Sequence, residues 1–145
     1  MSPEFVEWVQ AYGAWGLCAA AFVGATLVPV SSEAAFVAAV AAGLAPATAL
    51  GWASLGNTAG CLANYALGRW AREGVGDRLA GSRSGRAALR WTDRYGTPAL
   101  LLSWLPVIGD PLTLAAGVGR VPLAWFLPLV AGLRVARYAA LLWLV

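Results

Sequence analysis

The sequence predicts an all-α integral membrane fold, an inverted repeat of a re-entrant helical hairpin plus a transmembrane helix, with interfacial amphipathic helices alongside. Three observations carry that prediction. The 145 residues are 60% hydrophobic and only 12% charged, roughly half the charge of a soluble domain. The apolar residues fall into long blocks parted by one Arg-rich stretch, the pattern of a polytopic membrane protein. Two of the blocks are interrupted alike, by Pro29 to Glu33 and by Pro106 to Asp110. At this length one domain is expected over 1–145, divided into a first half-repeat (1–70), an Arg-rich segment (71–95) and a second half-repeat (96–145).

Residues 1–10 mix Phe5, Val6, Trp8 and Val9 with two glutamates, which suits a short interfacial helix. With Glu4 and Glu7 and no basic residue there, no cleavable signal peptide is expected. From Ala11 to Leu44 the chain is almost wholly apolar except at Pro29-Val30-Ser31-Ser32-Glu33. One helix of that length would measure about 51 Å, far beyond a hydrocarbon core of about 30 Å, while each half alone is too short to span. A hairpin that dips in and returns satisfies both lengths.

Pro46 opens the next block, and Ala47 to Trp70 is long enough to cross. It carries Gly56 and Gly60 in a GxxxG pattern, and Asn57, Asn64 and Gly68 extend the small and polar stripe. Small residues at that spacing let a second helix approach closely. Residues 71–95 read as a loop, with an interfacial helix from Arg86 to Tyr95 that turns Leu89, Trp91 and Tyr95 to lipid. Thr97 to Val118 is the second interrupted block, and Pro122 to Val145 the second spanning one. The alternative for 97–118 is a single kinked crossing helix.

Seven of the ten basic residues lie between Arg69 and Arg94, the signature of a cytoplasmic loop. That arrangement, rather than a basic folded domain, excludes nucleic acid as a partner. Histidine is absent, which removes His-ligated metal sites and His general bases. Lysine is absent too, so Ser31, Ser32 and Ser103 have no base of either kind, and no enzyme is expected. Cys18 and Cys61 sit in apolar runs without metal or disulfide spacing. No cofactor and no metal are expected.

The halves repeat one another. Tyr12-Gly13, Pro29-Val30-x-x-Glu33, Pro46 and a helix with Tyr65 correspond to Tyr95-Gly96, Pro106-Val107, Asp110, Pro122 and a helix with Tyr138. Glu33 to Pro46 is 13 residues and Asp110 to Pro122 is 12. One hairpin and one crossing per half gives opposed orientations, which places the N-terminus outside and Arg120 on the cytoplasmic side. Interrupted segments in corresponding halves point to a transport site.

Glu33, Asp110, Arg134 and Arg137 fall inside apolar blocks, where an ionisable group is costly unless paired or hydrated. Arg134 and Arg137 share a helix face by their i,i+3 spacing. Two readings stand side by side. In one the arginines take an anionic head group bidentately while the carboxylates alternate between pairing and protonation. In the other the four charges neutralise each other and hold the hairpins in register.

The segments Ala25 to Glu33, Gly56 to Gly60 with Tyr65 to Arg69, Arg94 to Gly96 with Ser103 to Asp110, and the Arg-x-x-Arg-Tyr ending at Tyr138 together resemble the DedA family. Its members are also described as SNARE-associated or VTT-domain proteins, and the short YqaA-type branch is the one resembled, over the whole chain. The resemblance implies a multi-pass bacterial inner-membrane protein with two opposed re-entrant hairpins. It further implies transbilayer lipid movement: relatives are implicated in moving undecaprenyl phosphate and phosphatidylethanolamine and in proton-dependent membrane homeostasis, and eukaryotic relatives include scramblases. The hairpin acids of the family carry over onto Glu33 and Asp110. Longer members place arginines around the second hairpin's proline, where this chain has Ser103 and Gly109, so Arg134 and Arg137 are the available substitutes.

The expectation is therefore a lipid or lipid-linked phosphate translocase, a flippase or scramblase with protons as a candidate coupling ion. Glu33, Asp110, Arg134 and Arg137 would bind substrate or protons, supported by Pro29, Ser32, Asn57, Tyr65, Arg69, Ser103, Pro106 and Tyr138. A small-solute or ion transporter, or a non-transporting assembly factor, is the alternative. Expected partners are membrane lipids and protons, with a homodimer allowed.

Overall fold

The structure is a computed structural model that describes residues 3–25, 32–104 and 109–144. Among these every regular element is helical: α1 (Pro3–Ala25), α2 (Ser32–Ala41), α3 (Pro46–Trp70), α4 (Arg72–Ala80), α5 (Arg83–Tyr95), a 3-10 segment (Thr97–Trp104), α6 (Gly109–Val118) and α7 (Leu123–Leu144). Pro29 and Pro106 lie outside the described residues. The chain forms two compact units, one of Met1–Gly60 with Arg134–Val145 and one of Cys61–Leu133. The division falls inside α3 and α7, so each long helix gives one half to each unit.

Length and polarity sort the helices. Among the described residues, Leu123–Leu144 alone is both long and apolar enough to cross a membrane, with 22 residues and a mean hydropathy of 1.4. At 25 residues α3 is long enough, about 37 Å, but its Asn, Ser, Thr and Gly positions dilute its apolarity. α1 is two pieces, because Gly13 interrupts it with φ 54° and ψ −131°. Gly96, which closes α5, adopts nearly the same backbone at φ 61° and ψ −134°.

In the first unit Leu17, Ala20 and Ala21 of α1 pack with Ala35, Phe36 and Ala39 of α2, joined by Ala49 and Ala53 of α3 and Tyr138 of α7. Alanine dominates this core, so the backbones lie close. Gly56 allows the closest approach: a Cβ there would collide with the backbone carbonyl of Cys18. The second unit is built on Val75, Leu79, Ala88, Ala99, Leu112, Leu114 and Ala115. Here the small stripe of α3 meets a different partner, since Gly68 sits on the backbone of α6 at Leu114 and Gly117 sits on that of α3 at Tyr65. One stripe thus serves α1 with its first half and α6 with its second.

One local expectation is corrected. The first part of 71–95 is helix α4 rather than loop, because Val75 and Leu79 at i,i+4 are buried in the core and packing outweighs Gly74 and Gly76. Leu89 and Trp91 of α5 are partly buried against the same core, while Tyr95 is 53% exposed. Ser82 caps α5 by accepting the Gly85 N–H at 3.1 Å.

α2 and α6 are each 10 residues long and end identically. After α2, the Gly43 and Leu44 amides donate to Val40 and Ala39 oxygens, both at 3.0 Å. After α6, the Arg120 and Val121 amides donate to Gly117 and Ala116 at 3.1 and 3.0 Å. Both are Schellman caps, which need a left-handed residue after the helix. Gly43 supplies it at φ 102°, and Arg120 does so at φ 54° against the preference of its side chain.

Candidate functional site

The charged residues of the first unit gather where α2 meets the second half of α7. Glu33 stands in the first turn of α2, and its Oε1 forms an ion pair with Nη2 of Arg137. The Arg137 and Glu33 side chains are 16% and 31% exposed, so the pair sits at an accessible edge rather than in the core. One turn away, Arg134 is enclosed, with 1% of its surface exposed. Enclosing a guanidinium in apolar helices is costly unless its donors are used, which marks the position as deliberate.

Neutral polar groups complete this site. Asn57 of α3 is buried and donates to the Ala21 carbonyl at 3.3 Å and to the Ser32 hydroxyl at 3.4 Å. It thereby ties α1 and α2 to α3 and orients Ser32 beside Glu33. The Tyr138 ring packs on Phe36 with centroids 5.1 Å apart. Its hydroxyl lies against Ser32, with Glu33, Arg134 and Arg137 close enough to act on it electrostatically. Although buried, it closes no well-formed hydrogen bond, and a buried hydroxyl left so is an unmet demand for a polar partner.

The second unit holds the remaining predicted residues in a different condition. Tyr65 packs its ring on Phe126 at 4.5 Å, donates its hydroxyl proton to the Val121 carbonyl and accepts from Arg69 Nη1 at 3.1 Å. Asn64 donates to Thr113 Oγ1 at 3.1 Å, and Thr113 donates to the Asp110 backbone carbonyl at 2.6 Å. Asp110 is half-buried in the first turn of α6. Ser103 is fully buried, its hydroxyl without a hydrogen bond, and its carbonyl abuts Gly109.

Of the predicted residues, Glu33, Arg134, Arg137, Ser32, Asn57 and Tyr138 come together in the first unit. Tyr65, Arg69, Ser103 and Asp110 belong to the second. Sequence reasoning missed two participants, Phe36 as the wall under Tyr138 and Thr113 as the link from Asn64 to Asp110. Thr113 had a usable signal in its i+3 spacing from Asp110, a local side-chain-to-backbone pattern. Phe36 had none. No group of three His, Cys, Asp or Glu residues able to hold a metal ion exists among the described residues.

Comparison with known proteins places this arrangement in context. The family model described as the VTT domain matches residues 28–132. The chain is 38% identical over 135 residues to the inner membrane protein YqaA of Escherichia coli strain K12, covering 90% of this chain and 92% of that one. The YqaA protein of Shigella flexneri gives the same 38% over 135 residues. An uncharacterised protein of Haemophilus influenzae is 34% identical over 138 residues, covering 86% and 82% of the two chains. No solved structure matches.

Proposed function

From the premise that the chain belongs to the VTT-domain (DedA) family, we propose that it is a transporter of the bacterial inner membrane, a lipid or lipid-linked phosphate translocase. The observation that carries this reading is the Glu33–Arg137 pair at an accessible edge beside the enclosed Arg134. A guanidinium fork matches a phosphate's oxygens bidentately. With Glu33 ionised, Arg137 is occupied; with Glu33 protonated, Arg137 is released to a phosphate that Arg134 and the Tyr138 hydroxyl also reach. Proton uptake by Glu33 and cargo binding are coupled by that competition. No bond in the cargo is made or broken, so the role is not enzymatic.

The membrane arrangement belongs to the same proposal. We read α1–α2 and the 3-10 segment with α6 as two re-entrant hairpins of an inverted repeat, with α3 and α7 as crossings and the Arg-rich segment 69–94 on the cytoplasmic side. α2 and α6, at 10 residues each, reach about 15 Å, half of a core of about 30 Å. Their matched caps, the first-turn acids Glu33 and Asp110, and the shared backbone of Gly13 and Gly96 support the repeat.

Reconstitution into liposomes carrying head-group-labelled phospholipids tests the function. The protein is expected to move label faster than empty vesicles, and Glu33→Gln and Arg134→Gln are each expected to abolish that movement. Rates equal to empty vesicles across anionic and zwitterionic head groups would sink the proposal; proton flux without lipid movement would redirect it to a small solute or ion. The direct contact of Glu33 with Arg137 also favours a second reading, in which the pair only fastens α2 to α7. The exchange Glu33→Arg with Arg137→Glu separates the two, since fastening survives the swap and proton-gated phosphate binding does not.

A further inference from the structure

The second unit contains a concavity that the Glu33–Arg137 site does not use. It has a volume of about 490 Å³ and opens where α4, α5 and the end of α6 meet, within the roughly 300–1,000 Å³ range of small-ligand sites. Arg72, Arg86 and Arg90 line it, opposed by a single carboxylate, Asp93. Arg86, Arg90 and Asp93 are spaced i, i+4 and i+7, so one face of α5 carries them toward the cavity. Its apolar lining comes from Leu89, Ala115 and Val118.

A position on the cytoplasmic side accounts for the charge of the segment but not for the convergence of three exposed arginines on one concavity. Among the described residues, none of the three arginines forms an ion pair. Arg86 spends one N–H on the Ala80 carbonyl at 3.2 Å, which anchors its guanidinium and leaves other donors unused. Like charges at i,i+4 on a helix repel, and Asp93, one carboxylate against three arginines, leaves the lining net positive. Nor are they needed to cap α6, because the Ala115, Ala116 and Gly117 carbonyls already accept from Gly119, Val121 and Arg120.

We propose that Arg72, Arg86 and Arg90 form a second binding site whose ligand is a phosphate group, carried by an anionic phospholipid head group or free in solution. Clustered guanidinium groups in a basic pocket are the chemistry that recognises a phosphate. The apolar lining gives a glycerolipid's first carbons a surface that inorganic phosphate lacks. Neither Glu33 nor Arg137 enters this site or its test.

The full chain in maltoside micelles is titrated calorimetrically with dihexanoyl phosphatidylglycerol, dihexanoyl phosphatidylcholine and inorganic phosphate. Saturable binding of phosphatidylglycerol is expected, about tenfold or more tighter than phosphatidylcholine. Arg86→Gln with Arg90→Gln should weaken it at least tenfold, and Arg86→Lys with Arg90→Lys by less, because lysine keeps the charge but loses the fork. Unchanged helicity and thermal midpoint certify the folded state, and Arg72→Gln, at the first residue of α4, gives a second independent loss. Inorganic phosphate binding as tightly, with the same dependence on the arginines, assigns the free ion as ligand and upholds the site. Phosphatidylglycerol binding that is unaltered in the Gln variants, or absent for every probe, overturns it.

Discussion

Tyr65 and Tyr138 hold corresponding places in the two halves of the sequence, on α3 and α7, yet their hydroxyls are treated oppositely. Tyr65 is satisfied twice over, by the Val121 carbonyl and by Arg69. Tyr138 is as deeply buried and makes no such bond, though it faces Ser32 and three charged side chains. In the second unit, links run from Arg69 through Tyr65 and from Asn64 through Thr113, with the Ser103 hydroxyl left outside them. In the first unit, the polar residues end on a half-buried ion pair and on a tyrosine hydroxyl that closes no well-formed hydrogen bond. Two tyrosines at corresponding sequence positions therefore differ in how their hydroxyls are partnered, and under the proposed function that difference divides the labour between holding helices and offering a donor.

The largest effect on this contrast is expected where both units depend on the same device. Gly56→Leu drives a side chain into the Cys18 backbone and Gly117→Leu one into that of Tyr65. Each should cost about 3 kcal/mol or more and abolish recovery of folded protein from detergent, measured by size-exclusion yield. Next comes the ion pair. Glu33→Ala leaves Arg137 without its partner, at a cost of about 1–3 kcal/mol in thermal unfolding, whereas Arg69→Ala at an exposed position should change stability by less than about 1 kcal/mol.

The tyrosines give the most direct comparison. Tyr65→Phe strands the Val121 carbonyl and Arg69 and should cost about 1–2 kcal/mol. Tyr138→Phe removes a hydroxyl that lies against Ser32 but closes no well-formed hydrogen bond, so stability should stay within about 0.5 kcal/mol while lipid movement in liposomes falls. A loss of stability from Tyr138→Phe equal to that from Tyr65→Phe would erase the proposed division. The smallest effects belong to the matched caps. Gly43→Ala should destabilise by about 1 kcal/mol and Arg120→Gly should stabilise by up to about 1 kcal/mol, because only the latter relieves a side chain in a left-handed residue.

Much of this was visible in the chain itself, for identifiable reasons. Gly56 and Gly60 announced a close helix contact because spacing alone defines a stripe of small residues. The same logic could not say that the stripe changes partner, so Gly68 was grouped with Gly56 although it meets α6. The sequence pattern of α5 does not show that Leu89 and Trp91 are partly buried against the second core, because an amphipathic helix presents its apolar face to either lipid or protein with the same spacing. Residues 71–81 looked like loop because local propensity was weighed without Val75 and Leu79 having a core to enter. The four charges of the apolar blocks read from the sequence as one cluster, whereas Glu33, Arg134 and Arg137 lie in the first unit and Asp110 in the second.

The sequence by itself determined the helical class, the interrupted apolar blocks, the position of the acids and the absence of histidine and lysine. These follow from composition and periodicity, which report what each helix must hide. The tertiary structure decided that Arg137 pairs with Glu33, that Arg134 is enclosed, that one tyrosine hydroxyl is satisfied and its counterpart is not, and that three arginines share a cavity. Those outcomes depend on distances between residues far apart in the chain, and hydrogen bonds and ion pairs act over a few ångströms that no spacing along a helix can specify.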